Sequence, residues 1–336
     1  MAGPRGPTMR PDPKICVFGA GAIGGYLGAQ LVRAGLDVAL VARGPHLAAM
    51  QKDGLRLQID DSEYVLKVRC TDRPADLGVQ DFVIVTLKAN QIADSVDAML
   101  PLLGPGTTIV TTSNGLPYWF FDFGAPACRG AAIGSIDPDG RQRKLLGQER
   151  ALGLVVFPAT EVVEPGVIRH DHGRKLPIGE PAGGRTERVE ILHELLLGAG
   201  FDAPIRDDIR DEIWMKLWGN VCFNPISALT GATVDVVATD FGTRAICRSM
   251  MSEMAAIGER LGLRLRVDID RRIDGAAGLG PHKMSMLQDL ERGRSMEIEA
   301  VVGVVQELGK KIAMPTPTID VVLALIRQRA RNIPLQ

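Results

Sequence analysis

Three residues with clear chemical potential, Lys216, Asn220 and Asn224, stand in Asp211-Glu-Ile-Trp-Met-Lys-Leu-Trp-Gly-Asn-Val-Cys-Phe-Asn-Pro225. Their i, i+4, i+8 spacing puts them on one slowly drifting stripe of a helix that turns about 100° per residue. Around them Ile213, Trp214, Leu217, Trp218, Val221, Cys222 and Phe223 leave little surface to be wet. A helix that is apolar nearly all round is normally buried, and a buried polar stripe must be answered by polar groups of the chain or of a ligand. The plainer alternative is an exposed face with a solvated lysine and two asparagines. Asn224-Pro225 should end or kink the helix, because the residue before proline is pushed away from α geometry.

A second constellation is Gly19-Ala-Gly-Ala-Ile-Gly24, a G-x-G-x-x-G run entered directly from the apolar Lys14-Ile-Cys-Val-Phe18. With a helix expected from Ala22 to Ala34 and a strand at Asp37–Val41, this is a βαβ unit with the glycines where a dinucleotide needs them. Gly19 permits the tight turn, Gly21 lets backbone approach a pyrophosphate, and Gly24 lets helix pack on strand. The helix N-terminus then offers N–H groups and a positive dipole end to phosphate, so the run Gly19, Ala20, Gly21, Ala22, Ile23, Gly24 is the cofactor cradle. The second strand ends in Val41-Ala42-Arg43-Gly44, with no acid for a ribose 2′-hydroxyl. A guanidinium suits a 2′-phosphate by charge-assisted pairing, which selects NADP(H) over NAD(H). The alternative for Arg43 is a solvated loop arginine.

Stepping outward, a short helix is expected at His46–Lys52, strands at Leu55–Ile59, Tyr64–Val68, Asp81–Thr86 and Thr107–Thr111, and a helix at Ile92–Leu100. Ligands of open parallel sheets sit beyond the carboxyl ends of the strands, which makes Lys88 and Asn114 site-facing rather than ordinary loop residues. Further strands are expected at Ala151–Phe157, Val162–His170 and Lys175–Ile178, the last two paired across Asp171-His-Gly-Arg174. His170 and His172 then read as turn residues, and no metal is expected. Glu187–Leu197 reads as a helix and Asp202–Ile205 as a last strand. Beyond Asp207 only helical periodicity remains, over Ile209–Ser227, Arg244–Leu261, Met284–Glu291, Glu297–Lys310 and Thr318–Arg329.

The fold class expected is therefore α/β: a Rossmann-type NADP-binding domain over 14–206, then an all-α substrate and catalytic domain over 207–336. Residues 1–13 are rich in Pro and Gly and read as a disordered lead-in without an apolar signal region. With 39 basic and 40 acidic residues the net charge is −1, so nucleic acid and anionic membrane are not expected as partners. Five cysteines (Cys16, Cys70, Cys128, Cys222, Cys247) lack metal spacing and fit reduced thiols of a cytoplasmic protein. Ser285 and Glu297 are two more polar residues in apolar company. Each has a plainer alternative: a small residue bonded to its own backbone, and a glutamate on a helix dipole.

Taken in order, Gly19-Ala-Gly-Ala-Ile-Gly24, Arg43, Val85-Thr-Leu-Lys88, Asn114-Gly115, Lys216-x-x-x-Asn220-x-x-x-Asn224-Pro225, Ser285-Met-Leu-Gln-Asp289 and Glu297 resemble the ketopantoate reductase family over nearly the whole chain from Lys14. The resemblance implies a Rossmann-type domain, a helical domain and a site in the cleft between them. It implies reduction of 2-dehydropantoate to (R)-pantoate with NADPH, a step towards pantothenate and coenzyme A. It makes Lys216 the general acid and Glu297 the organiser of the site and a cofactor contact. Lys88, Asn114, Lys216, Asn220, Asn224 and Ser285 become substrate contacts, and Lys88, Asn114 and Ala159 also touch the cofactor. A lysine among apolar neighbours has its pKa lowered by desolvation, and a carboxylate nearby raises it again, which suits a proton donor.

Two departures bear on the substrate. After Asn224-Pro225 only Thr230 or Thr233 can reach a substrate hydroxyl, and Leu116–Arg150 is longer than in the shortest members, with Tyr118, Trp119, Phe120, Phe121 and Phe123 beside Asn114. A reductase of a different branched or bulkier 2-keto acid is thus the second reading. A non-catalytic NADP(H)-sensing regulator is the third, against the intact Lys216, Asn220, Asn224 and Glu297. The resemblance leaves a homodimer open.

Overall fold

The computed structural model describes residues 12–124 and 129–332. The expectations for the lead-in up to residue 11 and for Cys128 therefore lie outside the described residues. The chain divides into two compact units: residues up to Ser113 with Arg141–Ile209, and Asn114–Gly140 with residues from Arg210 onward.

The first unit is α/β. Its main sheet joins β1 (Ile15–Phe18), β2 (Val38–Val41), β5 (Arg69–Thr71), β6 (Phe82–Val85), β7 (Thr108–Thr111), β8 (Ala151–Leu154) and β11 (Ile178–Gly179). The spatial order is β5-β2-β1-β6-β7-β8-β11, parallel except for the β8–β11 pairing. This is a doubly wound order, reversing between β1 and β6, where such sheets receive ligands beyond the strand ends. β1, β2, β6 and β7 are buried along their whole length, so they read as apolar or β-branched runs instead of alternating.

The helix α1 (Ala22–Arg33) returns the chain from β1 to β2 and is itself covered by a second sheet of β3 (Leu55–Ile59), β4 (Ser62–Leu66), β9 (Ala159–Glu164) and β10 (Val167–His172), in the order β4-β3-β10-β9. The helices α2 (Gly44–Asp53), α3 (Ala89–Met99), α4 (Arg141–Leu146) and α5 (Glu187–Gly198) complete the unit.

The β9–β10 hairpin corrects the expected strand at Val162–His170. The chain turns at Gly166, φ +82, and not at Asp171–Arg174. Turn chemistry at Pro165-Gly166 divides the two apolar pairs Val162-Val163 and Val167-Ile168 into separate strands. His170 and His172 accordingly lie in β10 and not in a turn, and the His170 ring stacks on Tyr26 of α1 at 4.5 Å. Asp202–Ile205 makes only single bridges, from Asp202 to Lys175 and from Ile205 to Ile178. β5 was not expected: three residues, Arg-Cys-Thr, carry no periodicity.

The second unit is helical: α6 (Ile209–Thr230), α7 (Val234–Thr239), α8 (Phe241–Arg260), α9 (Ile269–Ala277), α10 (Ser285–Glu291), α11 (Val304–Lys311) and α12 (Pro317–Arg331). A π-turn at Glu299–Gly303 leads into α11. Of the expected end or kink at Asn224-Pro225, the end does not occur: α6 continues through Pro225 to Thr230. Its flanking Val221, Cys222, Phe223 and Ile226 are at most 3% exposed, and burial of this order outweighs one missing N–H.

The segment Asn114–Gly140 counts with the helices, whereas the sequence reading assigned it to the Rossmann-type domain. The reason is aromatic. Trp119 and Phe120 are 0% and 2% exposed, and the Phe120 ring lies 6.4 Å from that of Trp214 on α6. Farther along, the Glu307 carboxylate of α11 accepts hydrogen bonds from the Gly134 and Ser135 N–H groups at 2.8 and 2.9 Å.

Candidate active site

In the first unit the glycine turn is formed as its residue types require. Gly19 has φ +107, a conformation closed to most side chains, and its N–H and that of Ala20 donate to the Val41 carbonyl at 3.1 and 2.9 Å. A Cβ on Gly24 would lie 2.1 Å from the Gly19 carbonyl oxygen and 2.4 Å from Thr86 Oγ1, so α1 reaches the strand end only as glycine. A Cβ on Gly21 would meet no protein atom within 4 Å, the open space a pyrophosphate needs. Ala22 and Ile23 open α1 beside it.

Thr86, at the end of β6, donates from Oγ1 to the Gly19 carbonyl at 2.6 Å. This brace escaped the sequence reading, although Thr86 stands two residues before Lys88. His46 escaped it too. Its Nδ1 accepts the Gly166 N–H at 2.9 Å, while the buried Nε2 has no hydrogen-bond partner. Burial lowers the His46 pKa from the ordinary 6.5, with the Ala20 carbonyl opposing. A lone histidine three residues after Arg43 gives no spacing signal. Arg43 itself is exposed at the N-cap of α2, and Lys88 caps α3. Ala159 opens β9 in the second sheet, opposite His172.

In the second unit Lys216, Asn220 and Asn224 lie on α6 as expected. Ile213, Trp214, Leu217, Trp218, Val221, Cys222 and Phe223 are buried, and the Trp218 indole N–H donates to the Met251 carbonyl at 2.8 Å. Lys216 is partly buried. Desolvation lowers its pKa from 10.5 to about 8, and the Glu297 charge pulls it back up. Glu297 sits just before the π-turn and accepts a hydrogen bond from Asn114 Nδ2 at 3.1 Å. Two residues far from it in sequence, Glu297 directly and Asn114 through Glu297, thus bear on one ammonium.

Asn224 is 2% exposed, and its Oδ1 has no hydrogen-bond partner, an acceptor awaiting a donor. Ser285 is exposed at the start of α10, and no hydrogen bond ties it to Lys216 among the described residues. Thr230 Oγ1 donates to the Ile226 carbonyl at 2.8 Å and Thr233 Oγ1 to the Asp235 carboxylate, so both threonines are engaged locally.

Among the described residues no His, Cys, Asp and Glu cluster could hold a metal ion, and no helix is long and apolar enough to cross a membrane. Cys16, Cys70, Cys222 and Cys247 are free thiols, and burial pushes Cys16 up to about 12.

The family model for ketopantoate reductase PanE/ApbA matches residues 15–119, and that for its C-terminal part matches residues 208–330. A 2-dehydropantoate 2-reductase of Mesorhizobium japonicum is 52% identical over 318 residues, 94% of this chain and 98% of the relative. A crystal structure of a ketopantoate reductase candidate from Ralstonia solanacearum superposes with a TM-score of 0.93 at 42% identity, covering 97% of this chain and all of that one. The 2-dehydropantoate 2-reductase of Geobacter metallireducens gives 0.82 at 28% identity, over 94% and 99% of the two chains. Since the matched stretches carry both the glycine turn and the Lys216 helix, and the likeness runs the length of these relatives, the chain belongs to the ketopantoate reductase family of oxidoreductases.

Proposed function

We propose that the chain reduces 2-dehydropantoate to (R)-pantoate with NADPH, Lys216 acting as general acid. The observation that carries this is Lys216 itself: an ammonium among apolar neighbours, depressed to about 8 by burial and opposed by Glu297. A donor of that strength is protonated at neutral pH yet releases its proton readily. As the ketone oxygen gains alkoxide character, the Lys216 ammonium donates to it. Glu297 holds the lysine charged until then, and Asn114 holds Glu297. Asn220 and Asn224 bind polar groups of the substrate without adding a charge. The unpartnered Oδ1 of Asn224 fits the hydroxyl of 2-dehydropantoate as its donor.

NADPH supplies the hydride when bound. The residues fit it: open space at Gly21, amides at the start of α1, and a guanidinium instead of a carboxylate after β2. Arg43 pairs with the 2′-phosphate in this reading. Lys88, Asn114 and Ala159 complete the cofactor contacts, and Ser285 meets the substrate carboxylate. The reduced thiols and the cofactor fit a cytoplasmic enzyme.

Of the aromatic run that raised a bulkier 2-keto acid, Tyr118, Trp119, Phe120 and Phe121 are buried, the Phe120 ring against Trp214 of the same unit, which favours the 2-dehydropantoate reading. Steady-state rates with NADPH across a panel of 2-keto acids test it. We expect kcat/KM highest for 2-dehydropantoate, and an equal or better value for a bulkier keto acid would defeat it.

A further inference from the structure

We propose that Gly115 and the π-turn at Glu299–Gly303 form a positioning device: the bare glycine lets the chain seat against the Ala300 carbonyl, and that seat sets Asn114 on Glu297. The inference rests on Lys216 as proton donor and deepens that reading.

A Cβ on Gly115 would lie 2.4 Å from the Ala300 carbonyl oxygen, 3.1 Å from its carbon and 3.2 Å from Ala300 Cβ. These are backbone atoms or atoms fixed to backbone, and Ala300, Val301 and Val302 are all buried, so nothing there can swing aside. The contact is backbone on backbone, and only glycine permits it.

The π-winding makes the seat. The Val304 N–H donates to the Glu299 carbonyl five residues back, where an α-helix would use the Ala300 carbonyl. Turns of this type recur at functional positions. Around the seat the geometry is fastened. Asn114, next to Gly115, donates to Glu297, three residues before Ala300, at 3.1 Å. Seven residues past Ala300, Glu307 holds Gly134 and Ser135, farther along the segment that Gly115 begins. On the outer side Arg327 of α12 pairs with Glu299, Nε to Oε1 at 2.7 Å.

The segment is thus held at two points on one π-turn and helix, and the first point fixes the carboxylate that acts on the donor. Glu297 is the charged group acting on the Lys216 ammonium, and Asn114, Asn220 and Asn224 are neutral. Gly115 touches no reacting atom, so it is a positioning residue.

The test reads the basic limb of the kcat–pH profile in Gly115→Ala and in Ala300→Val, which crowds the same contact from the other side. With Asn114 displaced, Glu297 no longer holds the lysine proton. We expect kcat to fall on the order of 10- to 100-fold and the limb to move to lower pH by about one unit, the scale of an opposite charge at short range. A purely structural role would lower the melting temperature and leave the limb in place. If Gly115→Ala is not recovered folded, Ala300→Val decides alone. A limb lost in Lys216→Ala but unmoved in both variants overturns this inference only. A limb that survives in Lys216→Ala overturns the donor assignment and this inference together.

Discussion

Lys216 combines two opposed influences, burial that weakens its hold on the proton and Glu297 that strengthens it, with burial the larger. The donor must carry its proton before reaction. Turnover should therefore be level below a pH of about 8 and fall above it as Lys216 deprotonates, and a kcat flat to pH 10 would contradict the assignment. Arg43, exposed at the start of α2, makes a separate prediction. A lost charge-assisted hydrogen bond is worth about 1.5–3 kcal/mol, so Arg43→Ala should weaken NADPH binding roughly 10- to 150-fold. NADH, lacking the 2′-phosphate, should bind both proteins alike in a fluorescence titration. Equal losses for the two cofactors would remove Arg43 from the 2′-phosphate.

At the scale of elements, the segment Asn114–Gly140 is fastened by its aromatics. Phe120→Ala should destabilise by about 3–5 kcal/mol, the cost of emptying a buried aromatic site, seen as a lower midpoint in urea. A loss below ~1 kcal/mol would mean that the cluster is not core. The contact of α2 with the β9–β10 turn gives a pH prediction through His46. Burial lowers its folded pKa below the unfolded 6.5, so the folded chain binds this proton less well than the unfolded one. That contribution is complete above about 6.5 and is lost as the pH falls below it. The melting temperature should drop on acidification, and His46→Gln, which keeps an acceptor for Gly166, should flatten the slope. An unchanged slope would exclude His46.

Much of this was legible in the sequence. The G-x-G-x-x-G turn and the all-round apolar α6 are local patterns, and local patterns survive folding. What was not legible depended on distant partners. The Thr86 brace on Gly19, the seat of Gly115 on Ala300 and the Asn114–Glu297 bond join residues 67 to 185 positions apart, the last two at or beside a π-turn that has no sequence period. The strand at Arg69–Thr71 and the helices α7 and α9 were too short or too mixed in polarity to announce themselves. As a helix end Pro225 misled for the opposite reason: its local rule is sound, and burial of the surrounding helix carried α6 past it.

For the whole molecule, the glycine turn lies in one unit and Lys216 in the other. A ligand that binds only the folded chain stabilises it by about 2.7 kcal/mol at a hundredfold excess over Kd. NADPH should therefore raise the melting temperature of the wild type and of Lys216→Ala equally, because the role proposed for Lys216 is towards the substrate. That pair of proteins also offers the decisive measurement: kcat at saturating NADPH and 2-dehydropantoate, near pH 7. The account predicts a fall on the order of 10² to 10⁴ in Lys216→Ala with NADPH binding intact, the size of a lost acid contribution. Turnover within a few-fold of wild type would contradict it.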